Sequence, residues 1–423
     1  MELRRVLRVK RLLSERFLGP HVGALSVGSG KNSVIAVGVT TYLAGEIGVP
    51  SNEAKSLVVL VGVEKLDKKT LSEVPAEVDG VRVVVEEIGR QLTLQADLEE
   101  RIQKLRPFPG GVSIGTLGVT AGTAGCLVYD RKTGEPLLLS NNHVIVLSWS
   151  DCRYGEQVLK RYGKIPVLQP GLYDIYNFGP PEDAMSIMCY EDNKCGCLCT
   201  TDVEDIIDKY LVGHVHRYLR VVSPSEEGQP NAGKGRNLID AAVARLVSPD
   251  IMKPEVLDLG IPGPSVPAGV HLVGRTVLKS GRTTGLTAGT VRAVHVDVKI
   301  WLSDTTYALF TDQIMIVSTT TPFAKGGDSG SVVVLNEKWG DGTYKTCGLL
   351  FAGSNTKIDG KWIAVANTAK HVEELLDIRF GSKIVTEEAH LRETARKVAK
   401  GLGIALPAIG LTYLTIKRIV HKQ

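Results

Sequence analysis

The sequence is short of cysteine, of aromatic side chains and of charge of one sign, and each shortage closes off a class of protein. Its 7 cysteines are too few, and too crowded between Cys189 and Cys199, to frame a disulfide scaffold, although a chain from a very hot source could hold disulfides inside the cell. A formal charge of +4 over 423 residues is small, and no stretch joins dense Lys/Arg to aromatic residues, so no nucleic-acid partner is expected. The basic start (Arg4, Arg5, Arg8, Lys10, Arg11) is not followed by an apolar run of signal-peptide length. Instead Leu3, Val6, Leu7, Leu13 and Phe17 recur at helical spacing, which reads as a cytoplasmic protein. What is present is ordinary for a globular chain: 43% hydrophobic and 23% charged residues, enough to bury a sizeable core in two or three domains.

Composition divides the chain. Residues 1–107 open with a short helix stopped at Gly19-Pro20 and continue through β-branched runs at Val34 to Val39, Ser56 to Val63 and Val81 to Val85, the pattern of a small α+β domain. After the linker-like Pro107-Phe108-Pro109-Gly110-Gly111, short β-rich runs separated by turn residues reach about residue 382, which predicts a sandwich or barrel. The Pro/Gly-rich passage 249–269 splits this region into halves near 108–248 and 268–382. A less regular stretch near 150–235, carrying Cys189, Cys195, Cys197 and Cys199, reads as an insertion into the first half. Residues 383–423 form a tail with helical spacing and then an uncharged run, Gly401 to Ile416, that contains a proline and is short for a membrane span.

The chemistry concentrates in three places. Gly326-Gly327-Asp328-Ser329-Gly330-Ser331 sits between a Pro-containing loop and Val332-Val333-Val334. An acyl-transfer nucleophile must be exposed on a tight turn, with backbone N–H groups free to meet the developing oxyanion, and small neighbours allow both. Upstream, Leu137-Leu138-Leu139 runs into Ser140-Asn141-Asn142-His143, which sets a histidine just past a strand end where a general base can face a cleft. Between them, Asp240 interrupts the apolar segment Leu238 to Ala244. Burying that carboxylate alone would cost several kcal/mol. Bound to the Nδ1–H of His143 it would be satisfied, would fix the tautomer, and would stabilise the imidazolium formed when Ser329 gives up its proton.

With the order His143, Asp240, Ser329 and the Gly-Asp-Ser-Gly sequence around Ser329, the chain resembles the chymotrypsin-like serine peptidases, since unrelated triad folds use other orders. More narrowly it resembles the intracellular bacterial and archaeal peptidases related to the plant narrow-leaf protease. Agreeing motifs run from Pro109 to Gly115, Leu139 to Val144, Leu168 to Gly171, Lys279 to Gly285 and Gly348 to Ser354. The resemblance implies a mainly β fold, a chymotrypsin-like double β-barrel with a small N-terminal α+β domain and a helical C-terminal tail. It implies Ser329 as nucleophile, His143 as general base and then acid, Asp240 as orienting carboxylate, and an oxyanion hole from the N–H groups of Gly327 and Ser329. Polypeptides would be the substrates and no cofactor would be needed. The specificity pocket would have Phe323 at its base and Phe351-Ala352-Gly353 along one wall; with no acid at the base, small or apolar side chains would be preferred over Lys or Arg. Trypsin-type enzymes pair the acid before the nucleophile with a newly cut N-terminus. No such cut is evident here, so Asp328 must find another partner or stay solvated.

Weaker signals keep their alternatives. Cys189, Cys195, Cys197 and Cys199, with Cys152, His214 and His216, offer ligands to zinc, but their spacing is not that of paired Cys-x-x-Cys arms, and disulfides or free thiols are the preferred reading. The tail from Gly401 is read as packing in the fold or in a homo-oligomer in preference to touching a membrane surface. The competing function is a latent or inactive protease-fold module that grips peptides or partner proteins.

Overall fold

The runs Val34–Leu43, Ser56–Val63 and Val81–Glu87 are strands, as side chains branched at Cβ favour a pleated surface. The structure, a computed structural model, describes residues 2–18, 34–43, 46–47, 56–88, 99–117, 121–146, 163–177, 200–223, 236–302, 307–354 and 356–381. Ser56–Val63 pairs antiparallel with Val34–Leu43 and parallel with Val81–Glu87, across a connection that includes the helix Lys68–Glu73. The helix Glu2–Leu18 lays Val6, Val9, Leu13 and Phe17 on this sheet against Val37, Val39, Val59 and Val61. Leu3, expected on the same stripe, is exposed in the first turn.

This N-terminal sheet continues into the second half of the chain. Val34–Leu43 pairs antiparallel with Gly285–Trp301, Ala36 facing Val298. Lys10 of the helix reaches Asp297 of that strand at 2.5 Å, and Arg236 takes the other carboxylate oxygen at 2.8 Å. One 13-stranded sheet results.

Within it Thr276–Gly281, Gly285–Trp301, Tyr307–Ser318, Trp362–Thr368, Tyr344–Gly353 and Val332–Lys338 each pair with the next, and the last returns to the first. The strands therefore close on themselves, which removes the exposed edges an open sheet would carry. Val277, Val291, Ile314, Ile316, Phe323, Val333 and Leu350 are packed together as the buried core of this half.

The first half is a six-stranded sheet in the order Pro166–Leu168, Leu211–Tyr218, Ala242–Leu246, Pro136–Ser140, Cys126–Asp130 and Ile378–Arg379. Two of these strands lie inside the stretch 150–235 that the composition presents as an insertion. One is only three residues long, and the other carries His214, His216 and Arg217, so neither shows a clear apolar alternation. The last strand belongs to the far end of the described chain and ties the second half back to the first. Between the halves Val128, Leu137, Leu139, Ile239 and Val243 pack on Val332, Val334, Leu349, Ala369 and Val372. Each fully buried Val, Leu or Ile among them contributes about 1.5–3 kcal/mol relative to exposure, which holds the two sheets together.

The architecture is mainly β. No helix among the described residues is long and apolar enough to cross a membrane. The cysteines Cys152, Cys189, Cys195, Cys197 and Cys199 and the tail 383–423 lie outside the described residues. Cys126 and Cys347 are free and buried.

Candidate active site

Leu137, Leu138 and Leu139 are fully buried in the first-half sheet, and the strand ends at Ser140. The short helix Asn142–Ile145 then turns Val144 and Ile145 inward and leaves the His143 side chain 14% exposed, at a surface rather than in the core. Asn141, at the helix start, makes no cap; its amide instead donates to the main-chain carbonyl of Asp240 at 2.6 Å.

Asp240 is completely buried, and both of its carboxylate oxygens serve one residue. Oδ2 lies 2.5 Å from His143 Nδ1 and Oδ1 accepts the His143 backbone N–H at 3.1 Å. A carboxylate only accepts, so Nδ1 carries the hydrogen and Nε2 of the neutral ring is left as the basic nitrogen. The backbone around the acid is equally held: Asn367 accepts the Asp240 N–H at 3.0 Å and donates to its carbonyl at 3.1 Å. Neither Asn141 nor Asn367 carries a role in the sequence reading. Asn367 offered the signal that Asp240 did, a polar residue inside an apolar strand, Trp362–Thr368.

Ser329 is presented from the second half on a turn that only glycine can make. Gly327 and Gly330 have φ of +84° and +96°, a region that side chains with a Cβ rarely enter. Space is also closed: a Cβ on Gly327 would stand 2.5 Å from Thr283 Oγ1, and one on Gly330 would collide with the Thr123 carbonyl and Ser140 Oγ. Around the turn, the N–H groups of Asp328, Gly330 and Ser331 are bonded to Lys325, Leu350 and Asp328 carbonyls. Those of Gly327 and Ser329 take no partner among the described residues.

The turn is pinned to the first half beside the histidine. The Ser329 carbonyl accepts the Thr123 N–H at 2.8 Å, the Thr123 carbonyl accepts Ser140 Oγ at 2.8 Å, and Thr123 Oγ1 donates to the Gly327 carbonyl at 2.6 Å. A Cβ on Gly122 would lie 2.5 Å from Val144 and 3.1 Å from the Ser329 carbonyl. The Ser329 turn thus lies at the seam between the halves, near the short helix whose His143 is bonded to Asp240. Among the described residues Ser329 Oγ makes a single long contact, 3.4 Å to the Phe351 carbonyl, weak for a hydroxyl hydrogen bond.

Asp328 is not solvated. It is completely buried and faces Lys279, with Thr283, Thr284 and Lys325 supplying donors. On the other side of the turn Arg282 forms a buried ion pair with Asp174, which also accepts the Ser113 hydroxyl. Phe323 and Phe351 are both closed into hydrophobic cores, Phe323 among the residues of the second half and Phe351 with its ring 4.6 Å from that of Phe310. Ala352 is buried beside Phe351, and Gly353 pairs with Ala364.

The family model of the Nal1 C-terminal domain matches residues 265–372, most of the closed second half. Protein NARROW LEAF 1 of Oryza sativa subsp. japonica is 27% identical over 248 residues, 56% of this chain and 34% of that protein. The chain spans about a third of that relative's length. Among solved structures, a glutamic acid specific serine protease described as using a histidine triad in substrate binding aligns at TM-score 0.37 and 16% identity, over 64% of this chain and 99% of its own. Nocardiopsis protease aligns at TM-score 0.38 and 16% identity over 65% and 99%. Cellulomonas bogoriensis chymotrypsin aligns at 0.34 and 15% over 66% and 100%.

Proposed function

We propose that the protein is a serine endopeptidase that cleaves polypeptides through an acyl-enzyme, with Ser329 as nucleophile, His143 as base and acid, and Asp240 as the orienting carboxylate. The observation that supports it most is a buried carboxylate bonded to both the Nδ1 and the main-chain N–H of one histidine, with a glycine turn whose Gly327 and Ser329 N–H groups take no partner among the described residues. Ser329 Oγ attacks the peptide carbonyl and passes its proton to His143 Nε2. The oxyanion is met by the two N–H groups. The C–N bond then breaks as Nε2 gives the proton to the leaving amine, and water, activated by the same nitrogen, releases the acid. Asp240 stays ionised. We read residues 1–107 as an appended α+β domain, 108–382 as the protease with its two barrels, and 383–423 as a tail.

A fluorophosphonate probe tests the nucleophile. Labelling of the full chain that disappears in Ser329→Ala supports the reading; a folded wild-type chain that never labels favours the latent binding module. Specificity is proposed for small or apolar side chains, because no acid lies at Phe323. Faster cleavage after Lys or Arg in a peptide library would sink that part alone.

A further inference from the structure

The helix Glu2–Leu18 buries one cation alongside Val6, Val9, Leu13 and Phe17. This is Lys10, whose Nζ lies 2.5 Å from Asp297 Oδ1 on the strand Gly285–Trp301. Asp297 is shared. Its other oxygen takes Arg236 Nη1 at 2.8 Å, and Arg236 Nη2 donates back to the Ser14 carbonyl of the same helix at 3.3 Å. The Thr311 hydroxyl and the Asp312 N–H complete the donors on Asp297. Apolar side chains would fasten the helix as well, since a buried charge gives back in desolvation much of what pairing gains.

What the charges reach is the segment that carries Asp240, four residues after Arg236. Little regular sheet holds this segment. Arg236 and Asn237 make a two-residue parallel pairing with Leu309 and Phe310, and the next strand begins at Ala242. Side chains do the rest: Asn237 donates to the Val222 and Leu309 carbonyls at 2.9 Å, and Gln313 donates to the Leu238 carbonyl at 2.9 Å. Asp240 itself must meet His143 Nδ1 with one oxygen and the His143 main-chain N–H with the other. Two bonds from one carboxylate fix its angle as well as its place, so a shift at Arg236 is carried along the segment into both.

We infer that Arg236 is a positioning residue for the Asp240–His143 pair, seated by Lys10 and Asp297, which makes the N-terminal helix part of the support of the active site. The inference rests on the reading of Ser329 as nucleophile and Asp240 as orienting carboxylate. The charge count shows which changes are mild. Two cations share one carboxylate, so removing either leaves a neutral pair, whereas removing Asp297 leaves two buried like charges.

The experiment compares the full wild-type chain with Arg236→Gln, Arg236→Lys and Lys10→Met. It reads fluorophosphonate labelling rate, melting temperature and the far-downfield proton resonance of the His143–Asp240 hydrogen bond, assigned by its loss in Asp240→Asn. Arg236→Gln is expected to stay folded and to label about 10²-fold more slowly, the effect of a remote change that misplaces a catalytic group by about 1 Å, with the downfield proton shifted or broadened. Lys10→Met should move both readings the same way by less. Arg236→Lys, which keeps a cation on Asp297, should recover rate and resonance; failure to recover either overturns Asp297 as the seat. A purely structural role would lower melting and leave the labelling rate of the folded variants and the downfield proton unchanged, and that result overturns the inference. Should Arg236→Gln not fold, Lys10→Met decides by the same two readings. A folded wild-type chain that shows the resonance and never labels removes the Ser329 reading itself, and with it this one.

Discussion

Asp240→Asn should abolish most of the activity while leaving the shape of the site intact, and the reason lies in a backbone hydrogen bond. Oδ1 of Asp240 accepts the His143 main-chain N–H at 3.1 Å, and that donor cannot change its role. In the amide variant the single oxygen must therefore stay on the main chain, which turns the NH₂ toward His143 Nδ1. Nδ1 then has to accept, so the ring hydrogen moves to Nε2 and the nitrogen that should take the Ser329 proton is blocked. The flipped amide would set two donors against each other. A wrong tautomer of this kind lowers turnover by about 10⁴-fold, or about 5 kcal/mol of transition-state stabilisation. The assay is the second-order rate of fluorophosphonate labelling, with circular dichroism and melting to show that the fold is retained. A folded Asp240→Asn chain labelling within about tenfold of wild type would refute the argument.

The support around the acid makes a second test. Asn367→Ala leaves the buried Asp240 N–H without an acceptor, so the denaturation midpoint should fall by the equivalent of about 1–3 kcal/mol, and labelling should slow as the carboxylate loosens; unchanged stability would count against the buried bond. Gly330→Ala meets both a φ of +96° and the Thr123 carbonyl, and is expected to give a strongly destabilised chain or one that no longer labels, read by melting and by probe together. A pH-dependent contribution sits away from the site, where His295 Nδ1 and His371 Nε2 both lie 2.6 Å from Asp312. The hydrogen bond to Asp312 raises the His371 value above that of a free imidazole. Its stabilisation is complete below the unfolded value and is lost as pH rises through the folded one. His371→Gln should flatten the melting profile across that window, and an unaltered slope would contradict the assignment.

Much of the candidate site was legible because its chemistry is local. A glycine turn that exposes a serine, a histidine just past the end of an apolar strand and a lone acid inside an apolar segment each announce themselves within a few residues, and their order along the chain limits how they combine. Asn141 and Asn367 were harder to read, since a buried asparagine is explained only by the group it satisfies, and Asn367 satisfies one 127 positions away.

The division of labour between sequence and fold has a physical basis. Composition, the strand-forming runs and the candidate Ser329, His143 and Asp240 follow from side-chain chemistry and short-range periodicity, which the sequence carries by itself. Tertiary structure alone decided that Val34–Leu43 continues the sheet of Gly285–Trp301, that Leu211–Tyr218 is a strand of the first half despite its polar residues, and that Asp328 faces Lys279. Strand pairing is set by backbone hydrogen bonds that every residue offers equally, and a buried ion pair by which distant segments pack against each other. Neither leaves a mark on the residues next to it in the chain.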